Sequence, residues 1–249
     1  MHNTSIKISH LNFTYDDGTQ IFEDLSLDIK KGEFISIVGP SGCGKSTLIR
    51  LIGDLMKPTS GEILVDNEIN ILAREQGKFS FVFQNPVLLP WRKVKDNVDL
   101  PSEILISGEY YNTTELLNMV GMKGKEELYP HQLSGGMKQR VAIARALSYK
   151  PSVLLMDEPF SAVDEFTRRV LNQELLKIWS EIGVTIIFIT HSISEAIFLS
   201  DRVFVLSSNP SKIKMVYKVP FSRPRDENLV ESSKFIESMK CLRKELEIV

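Results

Sequence analysis

Residues 39–47 read Gly-Pro-Ser-Gly-Cys-Gly-Lys-Ser-Thr, and these types at this spacing suit one chemistry, the holding of phosphate. Gly39, Gly42 and Gly44 let the backbone turn tightly, so that N–H groups of the loop, through Ser41 and Cys43, point inward. Lys45 brings a point charge for the outer phosphates, the Ser46 hydroxyl can ligate Mg2+, and Thr47 completes the run. An apolar stretch stops at Gly39 and helical spacing starts at Ser46, which are the flanks the motif requires. A nucleoside triphosphate with Mg2+ is the expected ligand.

Other residues extend that chemistry. Val-Leu-Leu-Met-Asp-Glu at 153–158 is an apolar run ending in two carboxylates. Asp157 is placed to hold Mg2+, directly or through water, and Glu158 to orient and polarise an attacking water; without a dication nearby the two would repel. Gln84 and His191 end two further apolar runs, and either can reach a γ-phosphate or its water. Taken singly, each also reads as an ordinary polar residue at a strand end. Tyr15 offers an aromatic face for a base and reads equally well as a packing residue. Cys43, inside the loop, is expected to be a position where alkylation inhibits and bound nucleotide protects.

A second anion-seeking helix start stands at Ser134-Gly135-Gly136. Serine is a good N-cap. Two first-turn glycines cost about 1 kcal/mol each against alanine, which makes sense where something must approach the backbone closely. Val141, Ile143, Ala144 and Leu147 supply the buried face of the helix that follows.

The elements that must position these groups alternate strand and helix. Residues 33–39, 78–84, 153–158 and 184–191 read as strands, 46–55 and 165–183 as helices, the latter stopped by Gly183. This order argues for an α/β domain with a parallel sheet. Short alternating strands come before residue 38, and residues 86–149 read as a helical insertion. A turn at 207–212 precedes a tail whose Phe235, Met239, Leu242 and Leu246 fall at helical spacing. The net charge of -2 gives no electrostatic support to nucleic-acid binding, so no nucleic-acid partner is expected. The polar start lacks a signal-peptide core, no apolar run reaches membrane-spanning length, and Cys43 and Cys241 suggest neither a disulfide framework nor a metal site.

Leu133 to Arg140, Leu-Ser-Gly-Gly-Met-Lys-Gln-Arg, resembles the signature motif of ATP-binding cassette (ABC) ATPases. The order of the other motifs is similar too: phosphate loop 39–47, Gln84, signature, the 153–158 strand, Ser-Ala-Val-Asp at 161–164, then His191. The resemblance covers essentially the whole chain. It implies an α/β P-loop NTPase with a RecA-like, mainly parallel core, an N-terminal antiparallel β subdomain and an inserted helical subdomain. The domain would be single, 1–249, with the core at 1–85 and 150–206, the helical part at 86–149 and an extension at 207–249. It also implies a homodimer in which Ser134, Gly135, Gly136 and Gln139 of one chain face the ATP held by Lys45 of the other. By the same resemblance Tyr15 stacks on adenine, Gln84 and Asp157 attend Mg2+, Glu158 is the general base, His191 contacts the γ-phosphate and Asp164 lies at the dimer interface.

Residues 85–98, Asn-Pro-Val-Leu-Leu-Pro-Trp onward, are apolar and proline-kinked. Internal packing is one reading. The other is a docking groove anchored by Leu88, Leu89, Pro90 and Trp91. This wording, with Arg-Pro-Arg-Asp at 223–226, resembles the nitrate, sulfonate and taurine group of bacterial importer ATPases. That implies integral-membrane permease subunits, an extracytoplasmic solute-binding protein as an indirect partner, and a peripheral place on the cytoplasmic face of the membrane. A soluble ABC ATPase acting on ribosomes or DNA, and the ATPase of an exporter, are the alternatives. A P-loop kinase or GTPase would leave the signature helix unexplained.

Overall fold

The computed structural model describes residues 4–105, 108–208 and 210–247. Positions 1–3 of the polar start, 209 of the expected turn, and 248–249 of the extension lie outside the described residues. In chain order the first half holds β1 (Thr4–Thr14), β2 (Gln20–Lys30), β3 (Phe34–Val38), α1 (Lys45–Ile52), β4 (Ser60–Val65), β5 (Glu68–Ile69), α2 (Asn70–Glu75), β6 (Phe79–Val82), α3 (Val94–Ile104) and α4 (Thr113–Met119). Then come α5 (Gly135–Leu147), β7 (Val153–Asp157), α6 (Glu165–Ile182), β8 (Thr185–Ile189), α7 (Ile193–Leu199), β9 (Arg202–Leu206), β10 (Ile213–Lys218) and α8 (Ser233–Glu247).

The chain divides into two compact units, Met1–Arg74 with Thr185–Val249, and Glu75–Val184. In the first unit β1, β2, β4 and β5 form an antiparallel sheet in the order β2-β1-β4-β5. β1 and β2 alternate buried and exposed positions, as strands with one solvated face do. β3 runs parallel to both β8 and β9, and β10 pairs antiparallel with β9. Every residue of β3 and of β8 is buried, which explains why both read as uninterrupted apolar runs. The final helix is present as expected, with Phe235 and Leu242 in the core.

In the second unit β6 runs parallel to β7, with Val82 opposite Met156. α5 is capped by Ser134, whose hydroxyl accepts the Met137 N–H at 3.3 Å, and it buries Val141, Ile143, Ala144 and Leu147. α6 is capped by Asp164 and ends at Gly183, which takes the left-handed conformation (φ 71°) that glycine adopts without strain. α3 runs through Pro101, a helix the proline-rich sequence hides.

Candidate nucleotide site

The phosphate loop leaves the carboxyl end of β3, and His191 follows the carboxyl end of the neighbouring β8, where Ile37 pairs with Ile189. Both groups therefore stand at the end of the sheet where α/β proteins gather ligands. The loop turns into α1 at Gly44 (φ 94°), where an added Cβ would lie 2.4 Å from the Ile21 side chain. Glycine is thus required there on two counts. Gly44 offers α1 no side-chain cap, so the first-turn N–H groups have none of the usual serine or aspartate acceptor. An uncapped helix start behind a glycine turn is what a phosphate can fill.

Lys45 is 5% exposed, and its ammonium donates to the carbonyls of Gly39 at 2.9 Å and Pro40 at 2.8 Å, within its own loop. A phosphate oxygen would be a stronger acceptor for that charge than a neutral carbonyl. Ser41 and Gly42 are exposed. The Tyr15 hydroxyl hydrogen-bonds to that of Thr47 at 2.8 Å, and the Tyr15 ring meets Phe13 edge-on with centroids 4.9 Å apart. Tyr15 is half-buried, tied at its tip to the first turn of α1. Cys43 departs from the expectation of a reactive thiol: it is 2% exposed, and burial pushes its pKa up, opposed by the charge of Lys45. The neutral, enclosed thiol is a packing group of the loop.

His191 is exposed at the tip of a doubly capped turn. The Ser192 N–H donates to the Thr190 hydroxyl at 3.0 Å, the Thr190 hydroxyl donates to the Glu195 carboxylate, and the Glu195 N–H donates to Ser192 Oγ at 3.3 Å. α7, which begins here, is closed at its other end by the Arg-Pro-Arg segment. Arg225 Nη1 donates to the carbonyls of Ile197, Phe198 and Ser200, and Arg223 Nη2 to that of Leu199 at 2.6 Å. The Arg-Pro-Arg segment thus has a structural role that its sequence does not display.

The second unit carries Gln84, Ser134, Gly135, Gly136, Gln139, Asp157, Glu158 and Asp164. Gln84 lies just past β6 and Asp157 ends the adjacent β7, so the amide and the carboxylates leave from the same end of one strand pair. Glu158 has φ 47°, the left-handed region that non-glycine residues occupy at a cost. Its carbonyl accepts the Ser161 N–H at 3.2 Å and the Ser161 hydroxyl at 3.0 Å. Asp164 is exposed, and its carboxylate accepts the Thr167 N–H at 2.9 Å, which holds its pKa below the ordinary value.

At the signature, Ser134 and Gly135 are exposed, and a Cβ on Gly135 would meet nothing within 4 Å. Gly136 is needed for another reason: a Cβ there would lie 2.9 Å from the Thr167 methyl at the start of α6. Gln139 differs from its neighbours. It is 1% exposed, with its amide spent on internal carbonyls, so here it faces inward rather than toward the surface of Ser134 and Gly135.

The expected docking segment is open. Pro90 is exposed, Trp91 is 71% exposed, and Leu88 and Leu89 are half-buried. Its shape is set by a residue sequence reasoning missed. Asn97, fully buried, accepts the Leu89 N–H at 2.8 Å and donates to the carbonyls of Leu89, Arg92 and Lys93 at 3.0–3.2 Å. Upstream, Arg145 of α5 donates to the carbonyls of Pro86 and Val87, both at 2.9 Å.

Ser46, Gln84 and Asp157 offer hydroxyl, amide and carboxylate oxygens, the hard donors Mg2+ takes. In the first unit, the glycine turn, uncapped helix start and buried lysine suit the binding of a nucleotide's phosphates. Consistent with that, the family described as ABC transporter matches residues 22–161. The chain is 43% identical over 220 residues to the aliphatic sulfonates import ATP-binding protein SsuB of Bacillus cereus, covering 87% of this chain and 86% of the relative. It is 44% identical over 223 residues to the nitrate import ATP-binding protein NrtD of Synechococcus elongatus, covering 86% and 80%. Among solved structures, the dimeric post-hydrolysis state of an ATP-binding cassette bound to ADP and Pi matches with a TM-score of 0.75 and 34% identity, over 87% of this chain and 100% of that one. The chain belongs to the ABC transporter family. It is an ATPase that uses ATP with Mg2+.

Proposed function

We propose that the chain is the ATPase subunit of an importer for a small solute of the nitrate, sulfonate or taurine type, or a vitamin precursor. The observation that carries this reading is its likeness, at 43% and 44% identity over most of both chains, to sulfonate and nitrate import ATP-binding proteins. Two copies close over ATP, each nucleotide lying between the phosphate loop of one protomer and Ser134, Gly135 and Gly136 of the other. The dimeric cassette with ADP and Pi supports that arrangement. On this reading the exposed Ser134–Gly135 helix start is the second anion site and serves the nucleotide of the neighbouring copy.

Within each site Lys45 meets the outer phosphates and Tyr15 stacks on the base. Ser46, Gln84 and Asp157 hold Mg2+, which when bound offsets the charge of the transferred phosphoryl group. Glu158 takes the proton of the attacking water and His191 contacts the γ-phosphate. Asp164 lies where the copies meet. Catalysis of this kind is positioning plus electrostatics, so the residues that fix these groups matter as much as the groups themselves.

Leu88, Leu89, Pro90 and Trp91 receive a helix of an integral-membrane permease subunit, at the cytoplasmic face of the membrane. An extracytoplasmic binding protein delivers the solute to that permease. Among the described residues no helix is long and apolar enough to cross a membrane. The test is affinity purification from native membranes. Recovery of a polytopic permease, lost in Trp91→Ala, is the expected result. Recovery of ribosomes or DNA-repair factors instead would overturn the transport reading, and intact capture by Trp91→Ala would overturn the docking segment.

A further inference from the structure

Gln139 stands on α5 on the same face as Gly136 and Ile143, all of them buried. Its Nε2 donates to the carbonyl of Phe83, at 3.1 Å, and to the carbonyl of Pro159. Its Oε1 is buried without a hydrogen-bond partner. Phe83 immediately precedes Gln84, and Pro159 immediately follows Glu158. One amide nitrogen therefore bridges the backbones beside both residues assigned to the metal and the water. Proline has no N–H, so its carbonyl is the only main-chain group by which Pro159 can be held.

Glu158 sits in the left-handed region (φ 47°), a conformation that persists only where surrounding contacts fix it. Ser161 grips the Glu158 carbonyl and Gln139 grips the next one. Farther along α5, Arg145 holds the carbonyls of Pro86 and Val87, on the other side of Gln84. The signature helix thus touches the main chain on both sides of Gln84 and beyond Glu158.

We propose that Gln139 is a positioning residue for hydrolysis, tying the backbones of Gln84 and Glu158 to the helix that starts at Ser134. The proposal rests on the reading of Glu158 as the group that activates water. A primary amide is the neutral side-chain group that offers two N–H donors from one nitrogen to two carbonyls. Methionine keeps the length and offers none. A glutamate must be protonated to donate at all, and then donates once; ionised, it turns negative charge toward two carbonyl oxygens.

The experiment compares Gln139→Met and Gln139→Glu with the wild-type chain, measuring kcat, KM for ATP and thermal midpoint from pH 6 to 8.5. The expected result is a kcat lowered on the order of 10- to 100-fold in Gln139→Met, as for a catalytic group displaced by about an ångström, with KM little changed. Gln139→Glu should lose more activity at high pH than at low, because burial at this position raises the carboxyl's pKa and only the protonated form can donate; wild type and Gln139→Met should lack that extra slope. Should Gln139→Met fail to fold, the pH slope of Gln139→Glu relative to wild type still decides. Wild-type kcat in Gln139→Met, or a flat relative profile in Gln139→Glu, would overturn the proposal. Glu158→Gln, run in parallel, separates the two readings: brisk turnover there removes Glu158 as base, whatever the Gln139 variants do.

Discussion

Asn97 allows a worked estimate of what holds the docking segment. Its side chain accepts the Leu89 N–H and shares two hydrogens among the carbonyls of Leu89, Arg92 and Lys93. Two of those carbonyls have other donors: the Arg92 N–H reaches Leu89 O at 3.1 Å, and the Asn97 N–H reaches Lys93 O at 2.9 Å. Asn97→Ala therefore strands chiefly the Leu89 N–H and the Arg92 carbonyl. At about 1–1.5 kcal/mol for each half-buried group, the local loss is about 2–3 kcal/mol. At about 1.4 kcal/mol per decade, hydrogen exchange at the Leu89 amide should speed up on the order of 30- to 100-fold. Asn97→Asp should be worse near neutral pH, because an ionised carboxylate still accepts from Leu89 but turns negative charge on three carbonyls. Exchange at Leu89, nucleotide affinity and permease capture form the assay. Loosened exchange and weakened capture with unchanged nucleotide affinity are expected in both variants. If Leu89 stays protected in Asn97→Ala, the segment is held by something else and the reasoning fails.

Glu158→Gln should bind ATP, trap a dimer and turn over on the order of 100- to 1,000-fold more slowly, checked by steady-state ATPase and size-exclusion chromatography; brisk hydrolysis would remove it as the base. Lys45→Ala should lose nucleotide binding or turnover, measured by equilibrium binding and phosphate release, since nothing else in the loop supplies a point charge. Cys43, buried and with its thiol pKa raised, should label slowly with a maleimide in the native protein and rapidly in urea, while exposed Cys241 labels quickly in both. Raised pH favours the thiolate, so native labelling of Cys43 should climb only above the ordinary thiol range; equal rates for the two cysteines near neutral pH would contradict its enclosure.

Groups whose chemistry depends on near neighbours in sequence were legible. Glycine, lysine and serine at fixed spacing after an apolar run locate the phosphate loop, because turn, helix start and charge all lie within one stretch. The ends of β7 and β8 were legible for a similar reason: strands buried on both faces stand out, and the polar residue that stops each run is the one at its carboxyl end. Ser134 and Gly183 could be read as helix boundaries because caps act within one turn. Less was visible inside the loop itself. Cys43 looked reactive by position, and only its packing against Gly39, where a Cβ would lie 2.8 Å from its sulfur, shows that it is enclosed.

The residues that sequence reasoning missed share one physical feature. Asn97, Arg145, Arg225 and the inward-facing Gln139 each donate to main-chain carbonyls of loops or of a helix end. Every residue has a carbonyl, so such an acceptor leaves no mark on residue type at the receiving position, and no complementary pair exists to be found. Only the donor carries a signal, and it is weak: a polar residue on an otherwise buried helical stripe, as Gln139 lies between Gly136 and Ile143. That pattern is costly unless the polar group is satisfied inside. Gln139 satisfies its nitrogen and leaves its oxygen buried without a partner. Keeping a half-satisfied amide where an apolar side chain would pack without that penalty argues that the bridge between Phe83 and Pro159 does something packing alone would not.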